Sequence, residues 1–144
     1  MEIRLARAED IETIWSLLIA SNLPAADVTK TSHITFFVAE EDTRVIAGCI
    51  GLQEHDDVGS LRSLAVRPDA RDAGIGRALV VAVEEAAALR RMERLYLLTT
   101  TANGFFARYG YRAVERIEAP DAIRGTTQFA ELCPASATFM VKLL

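Results

Sequence analysis

The sequence predicts an α/β protein: a mixed, mostly antiparallel sheet of six to seven strands with helices on both faces. Three observations predict it. First, an apolar run, Leu61 to Val66, passes through a short loop into an alanine-rich helical stretch and then into a second apolar run, Leu95 to Thr99. Strand, helix and strand in that order make a crossover, so the two strands should be parallel neighbours. Second, the β-branched and aromatic runs between 35 and 66 are separated by short polar turns, as antiparallel hairpins are. Third, the whole order reads strand, helix, three strands, helix, strand, helix, two strands. The 144 residues suit one domain, spanning 1–144.

Each element follows from local pattern. Glu2 to Leu5 reads as a short strand. Ile11, Ile14, Trp15 and Leu18 recur at helical spacing and predict an amphipathic helix over about 8–20. Asn22-Leu23-Pro24 ends it, because Pro24 disfavours helix at the residue before it. Thr35 to Ala39 and Val45 to Leu52 form a hairpin about Glu41–Arg44; Gly48 and Gly51 mark a bulge or a close backbone approach. A turn at His55–Asp57 leads to the third strand, Val58 to Val66. The next helix runs from about Ile75 to Arg91, with Ile75, Leu79, Val83 and Ala86 on one face. After Leu95 to Thr99, Ala102 to Arg108 is a short helix stopped at Gly110. Tyr111 to Glu115 and Ala137 to Leu143 are the last strands. The 22-residue connection 116–137, anchored by Ile123, Phe129 and Leu132, is long enough to carry function.

Composition narrows the partners. The chain is 51% hydrophobic and 25% charged, as a protein with a packed core is. Sixteen Lys and Arg face twenty Asp and Glu, a net charge of −4, which gives a nucleic-acid partner no support. No apolar run reaches the ~18–20 residues of a membrane span. The N-terminus is charged from Glu2 and does not read as a signal peptide. Cys49 and Cys133 lie far apart and form no C-x-x-C motif, so a reduced, cytoplasmic setting and no metal are expected.

The most informative stretch is the loop Arg71-Asp72-Ala73-Gly74-Ile75-Gly76, followed by Arg77. A glycine-rich loop at a helix N-terminus aims unpaired N–H groups at one point, at the positive end of the helix dipole, and suits phosphate. The plain alternative is a tight turn. A dinucleotide loop needs a third Gly or Ala where Leu79 stands, and the Lys-Ser or Lys-Thr of a Walker loop is absent. The second motif runs from Leu97-Leu98-Thr99-Thr100-Thr101-Ala102 to Phe105-Phe106-Ala107-Arg108-Tyr109-Gly110-Tyr111.

Arg-x-x-Gly-x-Gly after a strand resembles the acetyl-CoA pyrophosphate loop of the GNAT N-acetyltransferases, and the second motif and the order of elements resemble the same family over nearly the whole chain. The resemblance implies the GNAT fold, in which the parallel pair splays apart at the cofactor site. It implies acetyl-CoA as cosubstrate, held by Leu64, Ala65 and Val66 through backbone, by Arg71, Asp72, Ala73, Gly74, Ile75, Gly76 and Arg77 in the loop, and by Phe106. An N–H of the splayed strand, that of Leu64, would face the thioester carbonyl, whose oxygen gains charge during transfer. Many relatives carry a Tyr acid where this chain has Phe106. Tyr109 lies about one helical turn on and is the candidate acid, with packing as its competing role. Glu54 and His55 are candidate bases, against ordinary turn positions.

The branch is read from Leu98–Ala102, the Phe105-Phe106 pair, Thr127-Gln128-Phe129, Leu132-Cys133-Pro134-Ala135-Ser136-Ala137 and Met140-Val141-Lys142. These resemble the N-acetyltransferases found with arsenic-resistance genes, and also the acetyltransferase domain of amino-acid (glutamate) N-acetyltransferases. Both imply a small-molecule primary amine beside a carboxylate, with a carboxylate, phosphinate or arsonate head. Arg62 could fork onto such an acid, with Arg108 and Arg124 as further candidates and Asn22 in a loop over the same mouth. A homodimer through sheet edges is implied by resemblance alone. The competing reading is a non-catalytic acetyl-CoA-sensing module. Two thiols could hold a trivalent arsenical if they met, but Cys49 reads better as a small buried hydrophobe.

Overall fold

The computed structural model describes residues 1–29, 33–71, 73–126, 129–130 and 136–144. Among these, seven strands form one sheet. They are β1 (Glu2–Leu5), β2 (Thr35–Glu40), β3 (Ile46–His55), β4 (Val58–Val66), β5 (Arg94–Thr99), β6 (Arg112–Ala113) and β7 (Thr138–Leu143), in the order β1-β2-β3-β4-β5-β7-β6. Only β4 and β5 are parallel; every other neighbouring pair is antiparallel. The helices are α1 (Ile11–Ala20), α2 (Ile75–Leu89), α3 (Asn103–Arg108) and α4 (Asp121–Arg124). No described helix is long and apolar enough to cross a membrane.

The two faces of the sheet carry different helices. On one, α2 buries Ile75, Leu79, Val80, Val83 and Ala87 against Ile50, Leu52 and Leu61 of β3 and β4. The stripe ends at Ala87 and not at the expected Ala86, one step of four beyond Val83. On the other face, α1 buries Ile14, Leu17 and Leu18 with Val38 and Cys49. Further along the sheet, Ile123 of α4 packs with Tyr96, Phe139 and Val141. Phe129 meets Phe139 edge-on at 5.4 Å, so two of the three expected anchors of the long connection are in place. The third, Leu132, lies outside the described residues.

Several boundaries differ from the sequence expectation, each for a local reason. Ala8–Asp10 forms a 3₁₀ turn before α1, tied by Arg7 N–H donating to Asp10 Oδ2 at 2.7 Å. Asn22, not Pro24, terminates α1. Its φ of 56° reverses the chain, with Asn22 N–H bonding Ile19 O at 3.1 Å and Leu23 N–H bonding Leu18 O at 2.9 Å. This is a Schellman end, with asparagine in the left-handed position. Trp15 is 39% exposed rather than core; its indole N–H reaches across to Val28 O at 2.6 Å and pins the following loop. The expected strand Tyr111–Glu115 shrinks to β6, because Glu118 Oε2 accepts from Glu115 N–H at 3.0 Å and closes a 3₁₀ turn there. The sixth-to-seventh strand connection is longer than expected by that much.

Candidate active site

The site begins where the parallel pair stops pairing. β4 and β5 are in register only at Val58–Arg94, Gly59–Leu95 and Ser60–Tyr96. Beyond Ser60, β4 stays on β3 as far as Val66–Gly48, and β5 stays on β7 as far as Thr99–Thr138. The two strands therefore diverge, and their facing edges from Leu61 and Leu97 onward have no strand partner. Open edges of this kind accept an extended ligand as an added strand.

A bulge in β4 lies within the diverging stretch. Cys49 pairs Ala65 and Gly51 pairs Arg62, so Ser63 and Leu64 together oppose Ile50. Ser63 has φ 59°, a left-handed conformation that costs a non-glycine residue about 1–3 kcal/mol. Its Oγ accepts from Arg62 Nε at 2.9 Å, which ties the kink down. Bulges bend a strand and re-aim its peptide groups; this one sits beside Leu64, in the wall of the splay.

Above the splay lies the glycine loop. Arg71 Nε donates to Val66 O at 3.2 Å and folds the loop back onto the end of β4. Gly74 caps α2 with φ 79° and has no side-chain capping bond. A Cβ at Gly74 would meet nothing within 4 Å, so the backbone angle and not space requires glycine there. The first N–H groups of the 15-residue α2 thus point out of the helix, with no acidic side chain in the first turn to take them. Asp72 lies outside the described residues.

Splay and loop open into one cleft of about 1570 Å³. Leu64, Ala65, Val66, Arg71, Gly74, Ile75, Gly76, Arg77 and Phe106 all line it. Ala73 is exposed in the same loop without lining the cleft. Phe106 is 5% exposed, its ring edge-on to Phe105 and Tyr111. Tyr109 lines the cleft, stacks edge-on against Phe105 at 5.0 Å, and its hydroxyl bonds no described residue. Asn22 and Arg108 also line the cleft.

Other expected site residues are elsewhere. Glu54 pairs with Gly59 near the far end of the β3–β4 hairpin, its carboxylate is in an ion pair with Arg90, and it does not line the cleft. Leu64 is five positions after Gly59, roughly 16 Å of strand. His55 is one residue further, half-buried, and burial lowers its pKa below the ordinary 6.5. Arg124 donates to Ala119 O and Ile117 O and clamps its own connection. Arg62 is no open fork. Its side chain is wholly buried, with Nη2 on Asp27 Oδ1 at 2.7 Å, Nη1 on Asp27 Oδ2, and Nε on Ser63. Nothing in the sequence marked Asp27 as its partner, nor Ser63 as a left-handed residue; aspartate and serine in polar stretches carry no such signal. Cys49 is fully buried, its Sγ 3.5 Å from Ser63 O, and burial pushes its thiol up to about 12. Its burial and raised pKa suit a packing role. Cys133 lies outside the described residues. No group of three or more metal-ligating side chains is gathered among the described residues.

Residues 32–113 match the family model described as an acetyltransferase (GNAT) domain. The chain belongs to the GNAT acetyltransferase family. An uncharacterised N-acetyltransferase of Chlorobaculum tepidum is 34% identical over 110 residues, covering 76% of this chain and 70% of the relative. An amino-acid acetyltransferase of Mycobacterium tuberculosis is 31% identical over 125 residues, covering 78% and 69%. Among solved structures, N-acetylglutamate synthase of Neisseria gonorrhoeae, complexed with coenzyme A and N-acetyl-glutamate, superposes with a TM-score of 0.83 at 25% identity. That match covers 99% of this chain but 35% of the synthase, which carries a further two-thirds of its length outside it.

As a GNAT acetyltransferase, this protein has a site that fits a coenzyme A thioester on its own geometry. The fit rests on unpartnered strand edges for amide groups, a left-handed glycine opening a helix N-terminus for phosphate, and a cleft joining the two.

Proposed function

We propose that the protein transfers acetyl from acetyl-CoA directly to the primary α-amine of an acidic amino acid, or of its phosphinate or arsonate analogue. One observation carries the choice of an acidic acceptor. The chain has a net charge of −4, yet the described lining of the cleft holds Arg71, Arg77 and Arg108, besides Arg62 whose charge Asp27 takes, and no carboxylate. A cleft with walls of one sign concentrates ligands of the other. The relatives named amino-acid acetyltransferase, and the synthase structure holding N-acetyl-glutamate, support the same reading.

In this reading the backbone of Leu64, Ala65 and Val66 takes the pantetheine amides along the open edge of β4. The loop from Arg71 through Arg77 holds the pyrophosphate with its N–H groups and the charge of Arg71. Leu64 N–H donates to the thioester oxygen as charge grows there; one such donor is worth about a hundredfold to a thousandfold in rate. The amine attacks the carbonyl carbon, its N–C bond forms as the C–S bond breaks, and no covalent enzyme intermediate intervenes. The attacking amine gives up its proton to water in the cleft. Phe106 has no proton to give the departing thiolate; Tyr109 is the phenol on the described lining that can. Arg108 and Asn22 stand at the mouth to meet the acceptor, Asn22 with its backbone already committed to ending α1.

The test is release of free thiol from acetyl-CoA with a panel of amines: glutamate, phosphinothricin, an arsenic-containing glutamate analogue, an aminoglycoside, a polyamine and a lysine peptide. Turnover confined to the three acidic amino acids is the expected result. Turnover of the polyamine or the peptide in their place overturns the acidic acceptor, and silence across the panel with acetyl-CoA bound favours a sensing module.

A further inference from the structure

Arg62 is a buried cation at a junction. Its guanidinium takes both oxygens of Asp27 on one side and Ser63 Oγ on the other. Asp27 belongs to the loop that follows α1, whose earlier residues Asn22, Leu23 and Pro24 line the cleft. Ser63 is the left-handed residue of the β4 bulge, next to Leu64. One side chain thus joins the wall on the acceptor side to the kink that aims the Leu64 peptide group.

The surroundings are shaped for this. Gly51, directly across from Arg62, leaves the space its stem uses: a Cβ there would lie 3.3 Å from Arg62 Cγ and 2.9 Å from Ile34. The loop is held a second time one residue after Asp27, where the Trp15 indole bonds Val28 O and the Val28 side chain is fully buried. A planar fork fixes its partner in direction as well as distance, which a lysine could not do.

We propose that Arg62 is a positioning residue: with Asp27 it locks the loop after α1 to the β4 bulge, and so sets the acceptor wall in register with the Leu64 amide. The proposal rests on the acetyl-transfer reading for its kinetic consequence, but its structural half has its own readout. Trp15 is the single tryptophan of the chain, and its indole sits on the same loop. Loosening the loop exposes that indole whether or not any amine is a substrate.

The experiment compares wild type with Asp27→Asn, Asp27→Glu and Arg62→Lys. It reads Trp15 emission, acetyl-CoA affinity by calorimetry, and kcat and KM for whichever panel amine turns over. Asp27→Asn and Arg62→Lys should red-shift Trp15 emission. They should leave acetyl-CoA affinity within about twofold and lower kcat by on the order of tenfold to a hundredfold, the scale of a small misplacement of reacting groups. Asp27→Glu, which keeps the carboxylate, should recover part of the loss. Unchanged Trp15 emission in Asp27→Asn overturns the lock itself. A red shift with kcat unchanged overturns its link to the Leu64 amide. A lower KM for acidic amines alone in Asp27→Asn would mean that Asp27 occupies a fork meant for substrate, and that too overturns the proposal. Should Asp27→Asn fail to fold, Arg62→Lys and Asp27→Glu decide by the same readings.

Discussion

At the scale of single residues, the site depends on backbone angles that ordinary side chains resist. Gly74 is the clearest case, since its neighbourhood is empty and only its φ of 79° demands glycine. Gly74→Val should therefore strain the cap of α2 by roughly 1–2 kcal/mol, and the loop should relieve that strain by turning its N–H groups away. Acetyl-CoA binding, measured by calorimetry, should fall at least tenfold while the urea midpoint moves little. Gly74→Asn, which tolerates the left-handed region, should bind closer to wild type. Equal affinity in the valine variant would remove the loop from the phosphate site. This glycine was legible in the sequence because glycine signals backbone freedom. Ser63, which adopts a similar angle, was not, because a serine there is held by Arg62 rather than by its own preference.

At the scale of elements, the corner between α3 and β6 is held from below by one carboxylate. Glu84 Oε2 of α2 accepts from the Tyr111 hydroxyl and from Lys142 Nζ of β7, both at 2.9 Å, and the ammonium lies 5.6 Å from the Tyr111 ring centre. Glu84→Leu strands both donors and should cost about 1–3 kcal/mol by urea unfolding, with acetyl-CoA affinity unaltered because none of the three lines the cleft. Burial, and then the charge of Glu84, raise the Tyr111 phenol above its ordinary 10.0. A raised folded value means that this contribution is complete below pH 10 and is lost as pH rises past it. Tyr111→Phe should flatten that alkaline loss. The elements themselves were legible: the order and the parallel pair follow from apolar runs of strand length around an alanine-rich helix. What was not legible was the side-chain traffic between elements. Arg62 looked free because its partner, Asp27, lies 35 residues back in a polar loop. Glu54 could be read as a base or as a turn residue, because a strand's register, not its sequence, decides which end of it meets the cleft.

At the scale of the whole molecule, charge is unevenly placed. The net charge is −4 but the described lining of the cleft is cationic. Attraction across such a cleft is screened over a Debye length of about 8–10 Å at physiological salt. Raising ionic strength with potassium chloride should lower kcat/KM for acetyl-CoA and for an acidic amine, through KM more than through kcat. A flat salt profile would mean that the arginines do not face the ligands.

The splay has a further consequence, for how the chain holds together. Among the described residues, three paired positions, Val58, Gly59 and Ser60 against β5, form the ladder that joins the meander β1–β4 to the block β5–β7, with Glu93 N–H donating to Asp57 O just before it. Strand neighbours in the meander are consecutive in the chain, which favours early formation, whereas the parallel seam needs closure of a long crossover and belongs late in folding. A molecule lying along the open edge supplies rungs that the polypeptide lacks. On the proposed binding mode, a ligand along that edge should tie the two halves together, and resistance to unfolding should rise with its concentration.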